Sequence, residues 1–215
     1  MLRFINKTII KLFFIRCRLL NYRFEIANNE KKIETACELR RTLFAEKKIS
    51  SVDVDLYDEY DKYSVFFLCY YKSELIGTYR NILSTGELQL HKAFNLVLPD
   101  QMLSEECSEL SALVIQKNHR KSSRYPAWGL FALSYLYAID NEIKWWVGIA
   151  DTALLSSFTN AGGEWGLLEE LPLEDSHWQA RSRFPNYYKK YRPKAFYAKP
   201  SSYSPITWVK NKIFG

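Results

Sequence analysis

CSELSALVIQKNHRKSSRYPAWGLFALSYLYAIDNEIKWWVGIA, residues Cys107 to Ala150, decides the fold of this chain. Cys107 to Ile115 reads as a buried strand. A cationic turn, Gln116 to Arg124, leads into an aromatic helix from about Pro126 to Asp140, proline being well placed in a first helical turn. Lys144 to Ala150 reads as another buried strand, and Thr152 to Asn160 as a helix that Gly162 and Gly163 stop. Strand, basic turn, helix, strand, helix is the order of a mixed α/β sheet covered by helices on both faces. Upstream, Ser64 to Tyr71 is a central strand, Leu75 to Leu83 follows after a short polar break, and residues 84–106, with Pro99, form a variable stretch.

Charge is embedded in these apolar elements. Ile33, Ala36, Cys37, Leu43 and Phe44 fall at helical spacing, and Arg40 sits amid that stripe, so it points inward. A guanidinium stays charged wherever it is, and burial without a carboxylate costs several kcal/mol or more. Asp58 and Asp61, just before the central strand, are the nearest acids bounded by apolar sequence. Period-two alternation places Arg80 on the face of Ile76 and Ile82, and Glu109 on the face of Leu113 and Ile115. Such residues form either a site or an ion-pair network that only fixes helix and sheet in register.

The spacing resembles one family. Arg40-x-x-x-Phe44, Asp58-x-x-Asp61, Gly77-Thr78-x-Arg80 and Glu109-x-Ser111, in this order across residues 24 to 150, resemble the acyl-homoserine-lactone synthases and their relatives, the N-acyl amino acid synthases and ornithine-lipid acyltransferases. The resemblance implies a GNAT-type acyltransferase fold. Two positions depart from the pattern: Ser50 stands where the lactone synthases have a substrate-pocket Trp, and Ala112 where the relatives usually have an Arg.

With 215 residues, 47% of them hydrophobic and 16% aromatic, the chain can bury one sizeable core, and residues 24–215 read as a single domain. Cys17, Cys37, Cys69 and Cys107 are scattered through apolar segments, which reads as reduced thiols in the cytoplasm. His91, His119 and His177 are isolated and give no metal motif. The formal charge of +6 lies in residues 1–23, where Arg3, Lys7, Lys11, Arg16, Arg18 and Arg23 meet no acid. Arg3, Lys7, Lys11 and Arg18 share an arc of about 80° on a helical wheel, with the apolar residues largely outside it. Cations interrupt the segment too often for a membrane span or a signal peptide. It reads as an amphipathic helix that lays residues 1–22 on the anionic inner face of the plasma membrane, or else packs on the domain with its basic face in solvent. Ser204 to Gly215, also basic and apolar, would lie beside it. A neutral remainder without a recognition motif argues against nucleic acid.

The resemblance gives these parts roles. Lys117, Arg120, Lys121 and Arg124 beside a helix N-terminus suit the phosphate of an acyl-phosphopantetheine co-substrate, carried by acyl carrier protein or coenzyme A. Its amides would pair with the strand edge at Leu113, Val114, Ile115 and Gln116. The turn lacks glycine, and carrier proteins are acidic, so acyl carrier protein is the favoured partner. Glu109, raised in pKa by apolar surroundings, would take the amine proton, and a backbone N–H near Leu113 or Val114 would face the carbonyl oxygen. Asp58 and Asp61 would hold the acceptor's ammonium or pair with Arg40 and Arg80, and Arg80 would bind an amino acid's carboxylate. Cys107 as nucleophile has no histidine partner. Trp128, Phe131, Leu133, Tyr135, Trp145 and Trp146 line an acyl tunnel or simply fill the core. The leading expectation is an N-acyltransferase acting on an amino acid. Its alternatives are an autoinducer synthase using S-adenosylmethionine, an ornithine-lipid-type acyltransferase, and a non-catalytic membrane-associated module.

Overall fold

The computed structural model describes residues 2–46, 56–83, 88–103, 106–122, 125–160 and 163–203. In chain order its elements are α1 (Leu2–Leu19), β1 (Tyr22–Ile26), α2 (Glu30–Glu46), β2 (Ser64–Tyr71), β3 (Glu74–Leu83), β4 (Leu96–Val97), α3 (Asp100–Leu103), β5 (Cys107–Ile115), α4 (Lys117–Ser122) and α5 (Tyr125–Asp140). There follow β6 (Trp145–Ala150), α6 (Thr152–Asn160), β7 (Trp165–Leu167), β8 (Glu169–Glu170), α7 (Asp175–Ser182), α8 (Pro185–Tyr191) and β9 (Lys194–Ala198). Short 3₁₀ turns at Asp61–Tyr63 and Gln89–Lys92 matter to the site.

Seven strands form a sheet in the order β1-β2-β3-β5-β6-β9-β7, antiparallel except for the β5–β6 pair. The mixed sheet expected from residues 107–150 is therefore present. On one face α1 and α5 bury Ile10, Phe13, Cys17, Leu130 and Tyr135 against Phe67, Tyr79 and Trp146. On the other, α2 sets Ala36 and Cys37 on Phe66 and Leu68, while Leu88, Leu90, Phe94 and Tyr188 cover Cys107 and Val147. The division expected between residues 23 and 24 falls inside β1, and α1 supplies side chains to the main core.

Two irregularities correct the face assignments made by simple alternation. The β2–β3 register shifts between Cys69 and Tyr70, and Ile76 packs in the α1/α5 core, away from Arg80. In β5, Ala112 adopts φ 52°, a left-handed conformation that costs an alanine roughly 1–2 kcal/mol. Beyond it Ile115 joins Leu110 in the α1/α5 core, so Glu109 does not share its face. Trp145 and Trp146 also part, Trp146 packing edge-on to Phe131 at 5.3 Å and Trp145 against Tyr197 on the opposite face, because neighbours in a strand alternate. The six residues proposed as a tunnel lining therefore do not share one surface.

The bulge coincides with a parting of strands. β5 and β6 pair from Cys107–Trp145 to Leu110–Gly148, and from Ser111 onward β5 keeps only its β3 neighbour. Gly148 stands at the last paired position, where a Cβ would lie 2.9 Å from the Leu110 carbonyl oxygen. Gly148→Ala is expected to lower stability by about 1–3 kcal/mol through overpacking, read as a drop in the urea midpoint at an unchanged slope.

Candidate active site

Four elements bring charge to the α2 face of the sheet. α2 carries Arg40 inward because Ala36, Cys37 and Leu43 share its buried stripe. The turn before β2 supplies Asp58 and Asp61, β3 supplies Arg80 and β5 supplies Glu109 and Ser111. Arg40, Arg80, Asp61 and Glu109 are 3%, 2%, 7% and 4% exposed, whereas the Asp58 side chain keeps 35%.

Asp61 is shared by both arginines. Arg40 donates to it through Nη1 at 2.7 Å and Nη2 at 2.6 Å, in the planar two-point geometry that suits a guanidinium to a carboxylate. Arg80 Nη1 donates to Asp61 Oδ1, and at 2.7 Å to each of the two carboxylate oxygens of Asp58. The turn holds its acids in place through its own backbone: the Asp58 N–H donates to Asp61 at 2.8 Å and the Tyr60 N–H to Asp58 at 3.0 Å. Arg80 Nη2 donates to Gln89 Oε1 at 2.8 Å and Ser111 Oγ at 3.1 Å. Glu109 joins through the same turn, its carboxylate accepting the Leu90 N–H at 3.0 Å.

Electrostatics separate the two buried acids. Burial alone would raise the Asp61 carboxyl, but the Arg40 hydrogen bonds and the charges of Arg80 and Arg40 hold it below the usual carboxylate range. Glu109 goes the other way: burial pushes it up to about 7, against the opposing pull of the Leu90 N–H and Arg80. Arg40 is raised, because Asp61 outweighs the effect of burial. Cys107 is driven up to about 12 by burial and then by Glu109, which leaves no thiolate for a nucleophilic role.

All five expected charged residues thus meet on one face. Arg80, however, is buried with both terminal nitrogens engaged, so it fixes the acids and does not present a free fork to an acceptor carboxylate. Glu109 lacks the family's Arg at position 112 and takes a backbone N–H instead. Gln89 was missed, being in the stretch read as variable; its signal is a lone amide between Leu88 and Leu90, which are both buried.

The donor side is only partly described. The cationic turn contains a short helix, α4, and Arg120 Nε folds back to donate to the Ile115 carbonyl. Lys117 is exposed, and Gln116 is held by Glu74 at 3.0 Å. Ser50, the Lys121 side chain, Arg124 and the 204–215 segment lie outside the described residues. Val114 and Ile115 are buried and paired with Thr78 and Gly77, while Leu113 is exposed next to the bulge.

A sheet whose parallel strands part at a bulge, with a buried carboxylate beside the gap, is the arrangement expected of the GNAT-type fold. Residues 28–127 match the family model described as acetyltransferase (GNAT) domain. Among solved structures, the AHL synthase LasI is similar at 19% identity over 86% of this chain and 93% of that one, with a TM-score of 0.58. FeeM, an N-acyl amino acid synthase from uncultured soil microbes, is similar at 13% identity over 86% and 92%, TM-score 0.54. MesI, a CoA-dependent acyl-homoserine lactone synthase, is similar at 11% over 88% and 94%, TM-score 0.61. At these identities the likeness is one of fold. No curated protein matches the chain by sequence. The expected resemblance and fold class are borne out, and the family-model match bears out the acyltransferase assignment.

Removing the shared acid should expose its worth. Asp61→Asn leaves two buried guanidiniums short of charge and is expected to cost about 3–5 kcal/mol in urea denaturation, with Asp58→Asn costing less because its carboxylate is half in water. The pH dependence has two limbs. Asp61, lowered on folding, contributes stability that is present above the unfolded Asp value of about 3.9 and is lost as pH falls through its lower folded value. Glu109, raised on folding, makes the native state bind more protons, so stability declines from about pH 4.3 to about 7, and Glu109→Gln should flatten that decline.

Proposed function

We propose that the protein is an N-acyltransferase that moves a fatty acyl group from the phosphopantetheine arm of acyl carrier protein to the amine of an amino acid. The observation that carries this reading is Glu109, a buried carboxylate poised near neutrality on the strand that parts from its neighbour. At pH 7 such a group is divided between its two forms, the condition in which a general base works best. The acceptor's ammonium gives one proton to Glu109, the neutral nitrogen bonds to the thioester carbonyl carbon, and as the C–S bond breaks the second proton of that nitrogen passes to the departing carrier thiolate. The carbonyl oxygen gains charge near Leu113, where the left-handed turn at Ala112 reorients backbone N–H groups. Lys117 and Arg120 on the exposed turn would meet an acidic carrier.

The similarity to lactone synthases supports one further acceptor, S-adenosylmethionine, whose amine would meet the same base. A screen of decanoyl carrier protein and decanoyl-CoA, each with pooled amino acids or S-adenosylmethionine, separates the readings by thiol release and product mass. An N-acyl amino acid with the carrier donor is expected. Glu109→Gln should lower turnover by about 10²–10⁴-fold, and the wild-type rate should rise through an apparent pKa of about 7. Thiol release with S-adenosylmethionine alone would replace the amino acid in this proposal.

Peripheral attachment to an anionic membrane belongs to the same proposal. α1 buries Asn6, Ile10, Phe13 and Cys17 but leaves Leu12, Ile15 and Leu19 59%, 56% and 79% exposed on the opposite side. Exposed Lys11, Arg16 and Arg18 flank this apolar stripe, and the helix carries no acid. An apolar stripe rimmed by cations suits the boundary of an anionic bilayer, each cation near the surface adding about 1 kcal/mol. No described helix is long and apolar enough to cross a membrane. Because deleting the helix would also remove core side chains, the test uses Leu12→Asp with Leu19→Asp. The pair should abolish binding to phosphatidylglycerol vesicles in sedimentation while leaving the melting midpoint within a few degrees. Unchanged binding would overturn the docking face.

A further inference from the structure

The acceptor of the proposed reaction carries a carboxylate, and the residue expected to bind it, Arg80, has both terminal nitrogens committed to Asp58, Asp61, Gln89 and Ser111, leaving only a buried Nε without a described partner. Arg40 is engaged likewise, and Lys92 is tied to Glu59 over the Tyr60 ring. We infer that Arg181, on α7, is the anchor for the acceptor's carboxylate; this rests on the amino acid reading above.

Arg181 is a half-buried cation that forms no ion pair with any described carboxylate. Its guanidinium lies 4.3 Å from the centre of the Phe94 ring and 5.1 Å from that of Tyr188, with Trp178 at 5.8 Å. Nε donates to the Ala93 carbonyl at 2.6 Å, but Nη2 is buried and has no hydrogen-bond partner among the described residues. An unpaired buried donor costs about 1–3 kcal/mol, more when charged, and the flat fork of arginine is matched by a carboxylate. Aromatic rings fix the plane of the fork without neutralising it.

Glu109 and Arg181 are tied to one turn. Glu109 holds the Leu90 N–H and Arg181 holds the Ala93 carbonyl, at opposite ends of the same 3₁₀ turn. An α-amino acid lying along this turn points its amine toward the carboxylate and its carboxylate toward the guanidinium, whose flat fork suits it. Tyr188 packs beside this cation, its ring 6.0 Å from Phe94 and 5.1 Å from the Arg181 guanidinium. The same arrangement disfavours an acceptor whose carboxyl is blocked.

The test compares each amino acid accepted in the screen with its carboxamide, decanoyl carrier protein being the donor. Wild-type protein should show a KM at least tenfold lower for the free acid. Arg181→Gln should raise the KM for the acid tenfold or more, to the level of the carboxamide, with kcat within about threefold, and Arg181→Lys should recover part of the loss. In parallel, calorimetry measures binding of N-decanoyl amino acids and their carboxamides to both proteins without turnover. Loss of acid selectivity in Arg181→Gln by either readout supports the anchor. Turnover or binding with equal affinity for acid and carboxamide in wild-type protein overturns it and leaves the acyltransferase reading standing, as does a fall in kcat and rise in KM common to both acceptors. Carboxylate-selective binding without thiol release would retain the anchor and overturn the reaction. Absence of both would overturn both.

Discussion

Everything at this site depends on one carboxylate shared by two buried guanidiniums. Asp61 receives Arg40 and Arg80 together, and Asp58 supplies the second negative charge from a position half open to water. Two cations and two anions balance, so the cluster exerts little net field on Glu109, the buried group beyond it. Burial dominates, opposed first by the Leu90 N–H and then by Arg80, with Asp58 a smaller influence in the direction of burial. A surplus arginine would pull Glu109 toward the ordinary range, where it would be too weak a base, and a surplus aspartate would lock it protonated. The neutrality of the network is thus a chemical setting as well as a structural one.

A second constraint is geometric. Left-handed Ala112 and the bare Cα of Gly148 stand close to the point where β5 and β6 cease to pair. The first costs strain beyond the last pair, and the second lets the two backbones approach closely at that last pair, so the strands are tight up to Gly148 and part directly after it. Position 112 shows why an arginine is dispensable here. Glu109 already takes its hydrogen bond from the Leu90 backbone, a donor that any residue but proline at position 90 would keep and that brings no full charge.

How much of this was legible in the sequence follows from the range of the forces. Arg40, Asp61, Arg80 and Glu109 were readable because a charge inside an apolar run must be paired, and the elements that bear them have simple periods. The long helix, the second buried strand and α6 were readable for the same reason. Simple alternation failed at Ile76 and Ile115, where register shifts and a left-handed alanine invert the faces, and no composition signal marks either event. β1 was missed because its five residues, Tyr22–Ile26, alternate too briefly and abut a basic helix. Gln89 and Arg181 lay in segments without periodicity, and what places them is tertiary: a 3₁₀ turn clamped between Arg80, Glu109 and α7.

That turn links the balanced cluster to the unbalanced one. On its sheet side every arginine has its acid, and on its α7 side Arg181 has rings but no described anion. On the proposed reading, a zwitterion placed between them would add no net charge, with its carboxylate against the unpaired guanidinium and its ammonium against a carboxyl held near neutrality. Proximity of the ammonium would favour the ionised form of Glu109, and the same ion would then surrender its proton, so binding would prepare the proposed base. A simple amine would leave Arg181 uncompensated, and a simple acid would leave Glu109 with nothing to deprotonate. On that reading the charge pattern of the face would select for both groups on one molecule.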